Sequence, residues 1–146
     1  LIYLLRHGDA EEGNGDDDAR RLTVKGERQA RAAGRALAAM GAQIDACLTS
    51  PKVRAADTAN LACEALSLEP EMASELRGGP FDSLVLTAGR GNVLLVGHEP
   101  DFSNEIARLT GGKVKLRKGG LAIVDGSTLQ AMLRPSNVVA LADHLS

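Results

Sequence analysis

Arg6 and His7 stand side by side, followed by Gly8, directly after the apolar run 1–5. Ser50 and Pro51 close a second apolar stretch, and Arg54 follows within one helical turn. Gly97, His98 and Glu99 close a third. Arginine's planar fork of N–H donors matches the oxygens of a phosphoryl group. A neutral imidazole nitrogen is a nucleophile near neutral pH. Two arginines and two histidines brought together would capture a phosphoryl group and pass it to a histidine. Taken singly, each has a plainer explanation. Arg54 reads as a helix-surface charge, His98 as a structural residue before a helix, and R-H-G as a chance tripeptide.

Convergence depends on the elements that carry these residues. Residues 2–5 read as a buried strand, and 10–21 as a polar loop. Thr23 is the expected N-cap of a helix that runs to about 40, where Gly41 stops it. Gly26 and Gly34 each cost that helix about 1 kcal/mol against Ala, so close packing is the expected reason for them. A short strand is expected over 44–50. Ser50 as N-cap and Pro51 as first helical residue then open a helix over 52–66. Residues 67–80 read as irregular or weakly extended, and 81–88 as a short helix. "NVLLVGH", 92–98, is the clearest buried strand. A helix over 101–109 follows, ended by Gly111 and Gly112. "GLAIVDG" and "TLQAMLR" read as a hairpin or paired edge strands, and Pro135 opens a last helix to about 144. Alternating strands and helices predict an α/β fold, a three-layer sandwich with a mostly parallel central sheet and helices on both faces. In such folds ligands bind at the carboxyl ends of strands, where all three reactive stretches fall. Helix N-termini near 52 and 101 would add positive potential there.

Composition limits the alternatives. The 146 residues favour one domain over 1–146, long enough to bury a sizeable core. Aromatic residues make up only 2%, so Leu, Val, Ile and Ala must fill that core, and no stacking platform for bases is evident. A net charge of −2 gives no global attraction to nucleic acid or anionic membrane. No apolar run approaches the ~18 residues of a membrane span, and no signal pattern is seen, so the expectation is a cytoplasmic protein. Cys47 and Cys63 form no C-x-x-C pair and read as two reduced, buried thiols. "KVKLRK", 113–118, is a basic cluster between two glycine pairs. It reads as a solvated loop or edge strand, or, if it lies near the pocket, as a dock for an acidic partner. "DDD" at 16–18 reads as solvated loop.

Four segments, in this order, resemble the histidine phosphatase superfamily, the phosphoglycerate-mutase-like or RHG family. They are "LLRHGDA" at the start, "LTVKGERQA" at 22–30, "LTSPKVRAADTA" at 48–59 and "LLVGHEP" at 94–100. The resemblance implies a phosphatase of the phosphoglycerate-mutase-like fold. It makes His7 the nucleophile that becomes a phosphohistidine. Arg6, Arg54 and His98 would line the phosphate pocket, and electrostatic stabilisation there is the main work of phosphoryl transfer. The arginines would supply the positive charge, so neither a metal nor a cofactor is expected. Phosphate, sulfate or vanadate is expected to bind in the pocket. Gly8 is expected to let the phosphate approach closely or to relieve the turn.

The sequence also departs from the family pattern. Asp57 stands where Gln or Glu is usual. The proton donor is open between Glu75, in "SELRGG", and Asp9, or neither. Arg20 and Arg21 either reach the pocket rim, where Arg21 would touch phosphate, or solvate the loop. The stretch between Arg54 and the 92–98 strand is short, leaving little chain to cover the site. An open pocket suits a phosphoryl group displayed on a protein, and in length, "RHGDA" and "GHEP" the chain looks like the small SixA-type phosphohistidine phosphatases. The implied substrate is a phosphorylated phosphotransfer protein of a signalling or sugar-uptake system. The alternatives are a small-molecule phosphomonoesterase of the same superfamily and a non-catalytic phosphate-binding relative.

Overall fold

The computed structural model describes residues 1–13 and 15–145. Six strands form one sheet in the order β3-β2-β4-β1-β5-β6. They are β1 (Ile2–Arg6), β2 (Ala46–Thr49), β3 (Glu71–Met72), β4 (Val93–Gly97), β5 (Leu121–Asp125) and β6 (Thr128–Leu133). β3, β2, β4 and β1 run parallel; β5 turns antiparallel to β1, and β6 pairs with it as a hairpin. The helices are α1 (Val24–Ala39), α2 (Val53–Leu66), α3 (Ser83–Thr87), α4 (Asp101–Thr110) and α5 (Pro135–Leu145).

The two-residue period of the strands builds the layers. Tyr3 and Leu5 of β1 face one side, packed with Ala33 and Leu37 of α1, Ala59 and Ala62 of α2, and Val138 of α5. Ile2 and Leu4 face the other, packed with Phe102 and Ile106 of α4. Helices thus cover both faces, as the alternation predicts. The central strands are buried on both sides: Leu4, Leu5 and all of Val93–Val96 have no exposed surface. Where α1 meets α2, a Cβ on Gly34 would lie 2.0 Å from the Ala62 carbonyl oxygen, so that glycine is a packing requirement, as expected. Cys47 and Cys63 are buried free thiols.

Thr23 caps α1, its hydroxyl accepting the Gly26 N–H at 3.0 Å, and Gly41 beyond the helix takes the left-handed φ of +73°. The start of α2 differs from expectation. Ser50 stays in the sheet's ladder, its N–H donating to the Val96 carbonyl at 3.0 Å. Pro51 therefore precedes the helix, and Lys52 is the N-cap with no side-chain cap bond. The strand expected over 44–50 is the shorter β2, and the irregular stretch at 67–80 holds β3 and one 3₁₀ turn, Ser74–Leu76. Among the described residues no helix is long and apolar enough to cross a membrane.

Candidate active site

The exits of β1, β2 and β4 are neighbours because these strands pair in register: Arg6 lies opposite Gly97, and Thr49 opposite Val96. His7, Ser50 and His98 each follow directly, and Arg54 comes from the first turn of α2. His7, Arg54 and His98 are buried, and Arg6 is partly so. The two imidazole rings lie with centroids 5.2 Å apart.

The proton on His7 is placed by its surroundings. Its Nδ1 lies 2.7 Å from the carbonyl oxygen of Gly8. A carbonyl only accepts, so Nδ1 carries the hydrogen and Nε2 keeps the lone pair. Burial, reinforced by the positive charges of Arg54 and Arg6, pushes the His7 pKa down to about 4, against a weaker upward pull from the Gly8 carbonyl. His98 falls to about 3 by burial, then by proximity to His7 and Arg54. Both rings are neutral at physiological pH.

His98 Nε2 is hydrogen-bonded to Ser50 Oγ at 2.8 Å. Ser50 Oγ also accepts the Lys52 N–H at 3.2 Å. Its hydroxyl proton is then free to donate to His98, which favours the tautomer with the hydrogen on Nδ1. That Nδ1, Arg6 Nε and Arg54 Nε are buried and have no hydrogen-bond partner. Three such nitrogens in one site are unusual, because buried polar groups are nearly always satisfied. Arg6 is aimed from its other end, where its Nη1 donates to the Leu116 carbonyl at 3.0 Å. Burial lowers its pKa, with Glu99 opposing and Arg54 adding to the fall.

The second and third motifs hold the turn around His7. The Gly8 N–H donates to Thr58 Oγ1 at 3.1 Å, and that hydroxyl donates to the Arg54 carbonyl at 2.7 Å. The Asp9 N–H donates to Gln29 Oε1 at 2.8 Å. A Cβ on Gly8 would lie 2.6 Å from the Gly26 carbonyl oxygen, and one on Gly26 would lie 1.9 Å from that of Asp9. Backbone packing against α1 thus demands Gly8, whatever its part in phosphate approach or in the turn.

The remaining candidates fall elsewhere. Glu75 is exposed in the 3₁₀ turn after the edge strand β3, within hydrogen-bond reach of Ser74 Oγ, and borders a separate hollow with Phe81 and Val85. No hydrogen bond or ion pair among the described residues joins it to Arg6, His7, Arg54 or His98. Asp9 accepts the Thr23 hydroxyl at 2.8 Å and lies 3.7 Å from Lys118, so its carboxylate is engaged in the wall. Arg21 is exposed and shares a hollow with Asp57 and Glu27 that neither His7 nor His98 lines. Asp17, which the sequence leaves in a solvated loop, is instead on Arg54: its carbonyl accepts from Nη1 at 2.7 Å and its carboxylate from Nη2 at 3.2 Å. The hydrogen bond from Arg20 and the charge of Arg54 hold the Asp17 carboxyl below its ordinary range. Ser50 and Thr58 lie inside the third motif, which is the signal that could have found them; Asp17 has no such signal. Among the described residues no group of three or more His, Cys, Asp or Glu side chains is placed to hold a metal ion.

A neutral imidazole with a free lone pair, set beside two guanidiniums at the exits of a parallel sheet, has the chemistry to accept a phosphoryl group. The comparisons with known proteins agree. The profile of the histidine phosphatase superfamily (branch 1) matches residues 2–85. A phosphohistidine phosphatase SixA homolog from Haemophilus influenzae is 34% identical over 126 residues, covering 75% of this chain and 77% of that protein. The structure of the protein histidine phosphatase SixA complexed with tungstate superposes with a TM-score of 0.81 at 26% identity, covering 94% of this chain and 98% of that one. A SixA-type protein of Agrobacterium tumefaciens gives 0.80 at 25% identity, covering 92% and 97%. The chain belongs to the histidine phosphatase superfamily. Within it, the protein is a phosphatase of the SixA-like kind.

Proposed function

We propose that the protein removes the phosphoryl group from a phosphohistidine of a phosphotransfer protein, by way of a covalent phosphohistidine on His7. The observation that carries this reading is the state of the site. His7 Nε2 holds a lone pair, and Arg6 Nε, Arg54 Nε and His98 Nδ1 are buried nitrogens without partners. A phosphoryl group seated against His7 would supply oxygens to all three.

In the first step His7 Nε2 attacks phosphorus, a P–N bond forms to the enzyme, and the P–N bond to the substrate's imidazole breaks. The electron pair leaves with the substrate nitrogen. Arg6 and Arg54 stabilise the charge on the equatorial oxygens as it is redistributed. The arriving dianion also favours protonation of His98, adding a third positive group. In the second step water attacks the phosphorus of phospho-His7, releasing inorganic phosphate and restoring His7. An imidazole leaves without strong acid catalysis, whereas an alkoxide needs a proton. Glu75 stands apart and Asp9 is tied to Thr23 and Lys118, so the lack of a free carboxylic acid beside His7 among the described residues favours a nitrogen-linked phosphoryl group over an ester.

The test compares histidine-phosphorylated phosphotransfer domains with sugar phosphates, following phosphate release, and traps the phosphoenzyme by rapid quench. Acid-labile, base-stable label on the wild type and none on His7→Ala is the expected result. Turnover of sugar phosphates with phosphohistidine proteins inert would replace this reading with the phosphomonoesterase one. Substantial activity in folded His7→Ala would remove His7 as nucleophile.

A further inference from the structure

The segment that leads from α4 into β5 carries Lys113, Lys115, Arg117 and Lys118 around a single buried residue, Leu116. It is fastened to the active site by its backbone. The Leu116 N–H donates to Glu99 Oε2 at 3.1 Å, the Leu116 carbonyl accepts from Arg6, and the Gly119 N–H donates to the carbonyls of Arg6 and His7 at 3.2 and 3.0 Å. The cationic side chains around this anchor point outward: Lys113, Lys115 and Arg117 are exposed. With Arg6 and with Lys25 from the first turn of α1, Lys115, Arg117 and Lys118 line a cavity of about 430 Å³. Asp9 is the one carboxylate in its lining.

On the other side of the site, at α2, the cations are paired with acids. Asp17 lies on Arg54, and Asp17 and Asp18 lie within 3.7 and 3.8 Å of Lys52. The protein as a whole carries −2, so the five cations on the β5 side are a local concentration and not a reflection of overall charge. Because Arg6 belongs to both the cavity and the phosphoryl site, anything held by these cations is held in register with His7.

We infer that the 113–118 segment and Lys25 form a docking surface for acidic side chains flanking the phosphohistidine of a protein substrate. The inference rests on the phosphohistidine reading of the site and adds to it how the substrate protein is oriented. A protein surface fits better than a small ligand. Small-molecule sites hold their ligands with a few buried, converging polar groups. Here the charges are exposed and spread over two elements, which suits steering and orientation of a large partner. A nucleic acid fits less well. Tyr3 and Phe102 are buried and Phe81 lies at the separate hollow beside Glu75, so none of the three is placed to stack a base at these cations.

The experiment uses the full chain, wild type and Lys115→Glu/Arg117→Glu, with three probes. They are free phosphohistidine, an acidic phosphotransfer domain phosphorylated on its histidine, and the same domain with the carboxylates around that histidine changed to amides. At low ionic strength the double variant should lose at least about tenfold in kcat/KM on the acidic domain, mostly through KM. Added salt should narrow the gap, and the amide form should abolish it. Turnover of free phosphohistidine should be unchanged, which also shows that the variant is folded. Equal kcat/KM of the two enzymes on the acidic domain overturns the docking surface while leaving the phosphatase reading intact. An equal loss on free phosphohistidine overturns it as well, since the charges would then act on the phosphoryl site itself. Inhibition of the wild type, but not the double variant, by duplex DNA at the same affinity would reassign the surface to nucleic acid. A wild type inert towards every phosphohistidine probe fails the functional reading first, and the docking inference with it.

Discussion

Burial of His7 should make the protein measurably less stable in mild acid. In the unfolded chain this ring titrates near 6.5, and in the fold near 4. Between those values the unfolded chain binds a proton that the folded one excludes. Stability therefore rises with pH across this window; the His7 contribution is intact above about pH 6.5 and is lost as pH falls towards 4. For one group with these two pKa values, the loss between pH 7.5 and 4.5 is about 2.5 kcal/mol. That is a substantial part of the net stability of a small domain. His98 moves in the same direction, to about 3, but its shift depends partly on His7, so the two should be separated experimentally. Urea unfolding at pH 7.5, 5.5 and 4.5 would be compared between the wild type and His7→Gln, which keeps every carboxylate that also titrates in this range. The difference between the two proteins should change by about 2.5 kcal/mol across the series. NMR of the imidazole protons should place the His7 midpoint near 4 in the folded wild type, and the acidic limb of kcat/KM should fall well below pH 6. Parallel stability curves, or a His7 midpoint near 6.5, would mean that the ring is solvated or charged in the fold, and the argument for a neutral nucleophile would fail.

Arg54→Ala should weaken inhibition by vanadate or phosphate by about tenfold to a hundredfold, the loss of one charged hydrogen-bonding group of about 1.5–3 kcal/mol. Arg117→Ala should leave it unchanged; inhibition constants for the two variants decide this. Gly26→Ala forces a methyl group to 1.9 Å from the Asp9 carbonyl oxygen, so it should lower stability by about 1–3 kcal/mol and slow turnover by displacing the turn after His7, measured by denaturant midpoint and kcat. Prolonged treatment with a chelator should leave phosphatase activity intact, since Arg6 and Arg54 carry the positive charge; loss on chelation, restored by a divalent ion, would contradict that division of labour.

The parts of the fold written in local chemistry were legible in the sequence. Unbroken apolar runs marked β1 and β4, and Thr23 with Gly41 bounded α1. Arg6, His7, Arg54 and His98 stood out because reactive residues at strand exits are few, and the parallel order β2-β4-β1 brings those exits together. What the sequence did not disclose depends on partners far along the chain. Ser50 looks like a helix cap, yet the carbonyl of Val96 keeps it in the sheet, and α2 starts later. Asp17 meets Arg54 across 37 positions, and Leu116 meets Arg6 across 110. No periodicity or cap rule encodes such pairs. Glu75 stood out through the likeness of "SELRGG" to an acidic segment of many members of the family. Here the chain around it is a short 3₁₀ turn beside the sheet's edge strand, which leaves the carboxylate in solvent.

The motif residues divide the work between chemistry and placement, and most of them do the second. Arg6, His7, Arg54 and His98 bring to the strand exits groups suited to a phosphoryl oxygen or phosphorus. Thr23, Gly26 and Gln29 hold the turn at Gly8 and Asp9 from α1, and Thr58 holds it from α2. That turn supplies the carbonyl that fixes the proton on His7 Nδ1 and leaves Nε2 free. The direction and protonation of the His7 ring are therefore set by two helices acting through the two peptide units that follow it. The arginines are held differently, from the loops. Arg6 is braced by the Leu116 carbonyl, whose own N–H is held by Glu99, and Arg54 by Asp17 in the acidic loop. Helices thus fix the His7 ring, and an error of an ångström in a reacting group is enough to disable chemistry. Surface segments fix the cations, and those same segments form the rim that a protein substrate would meet first.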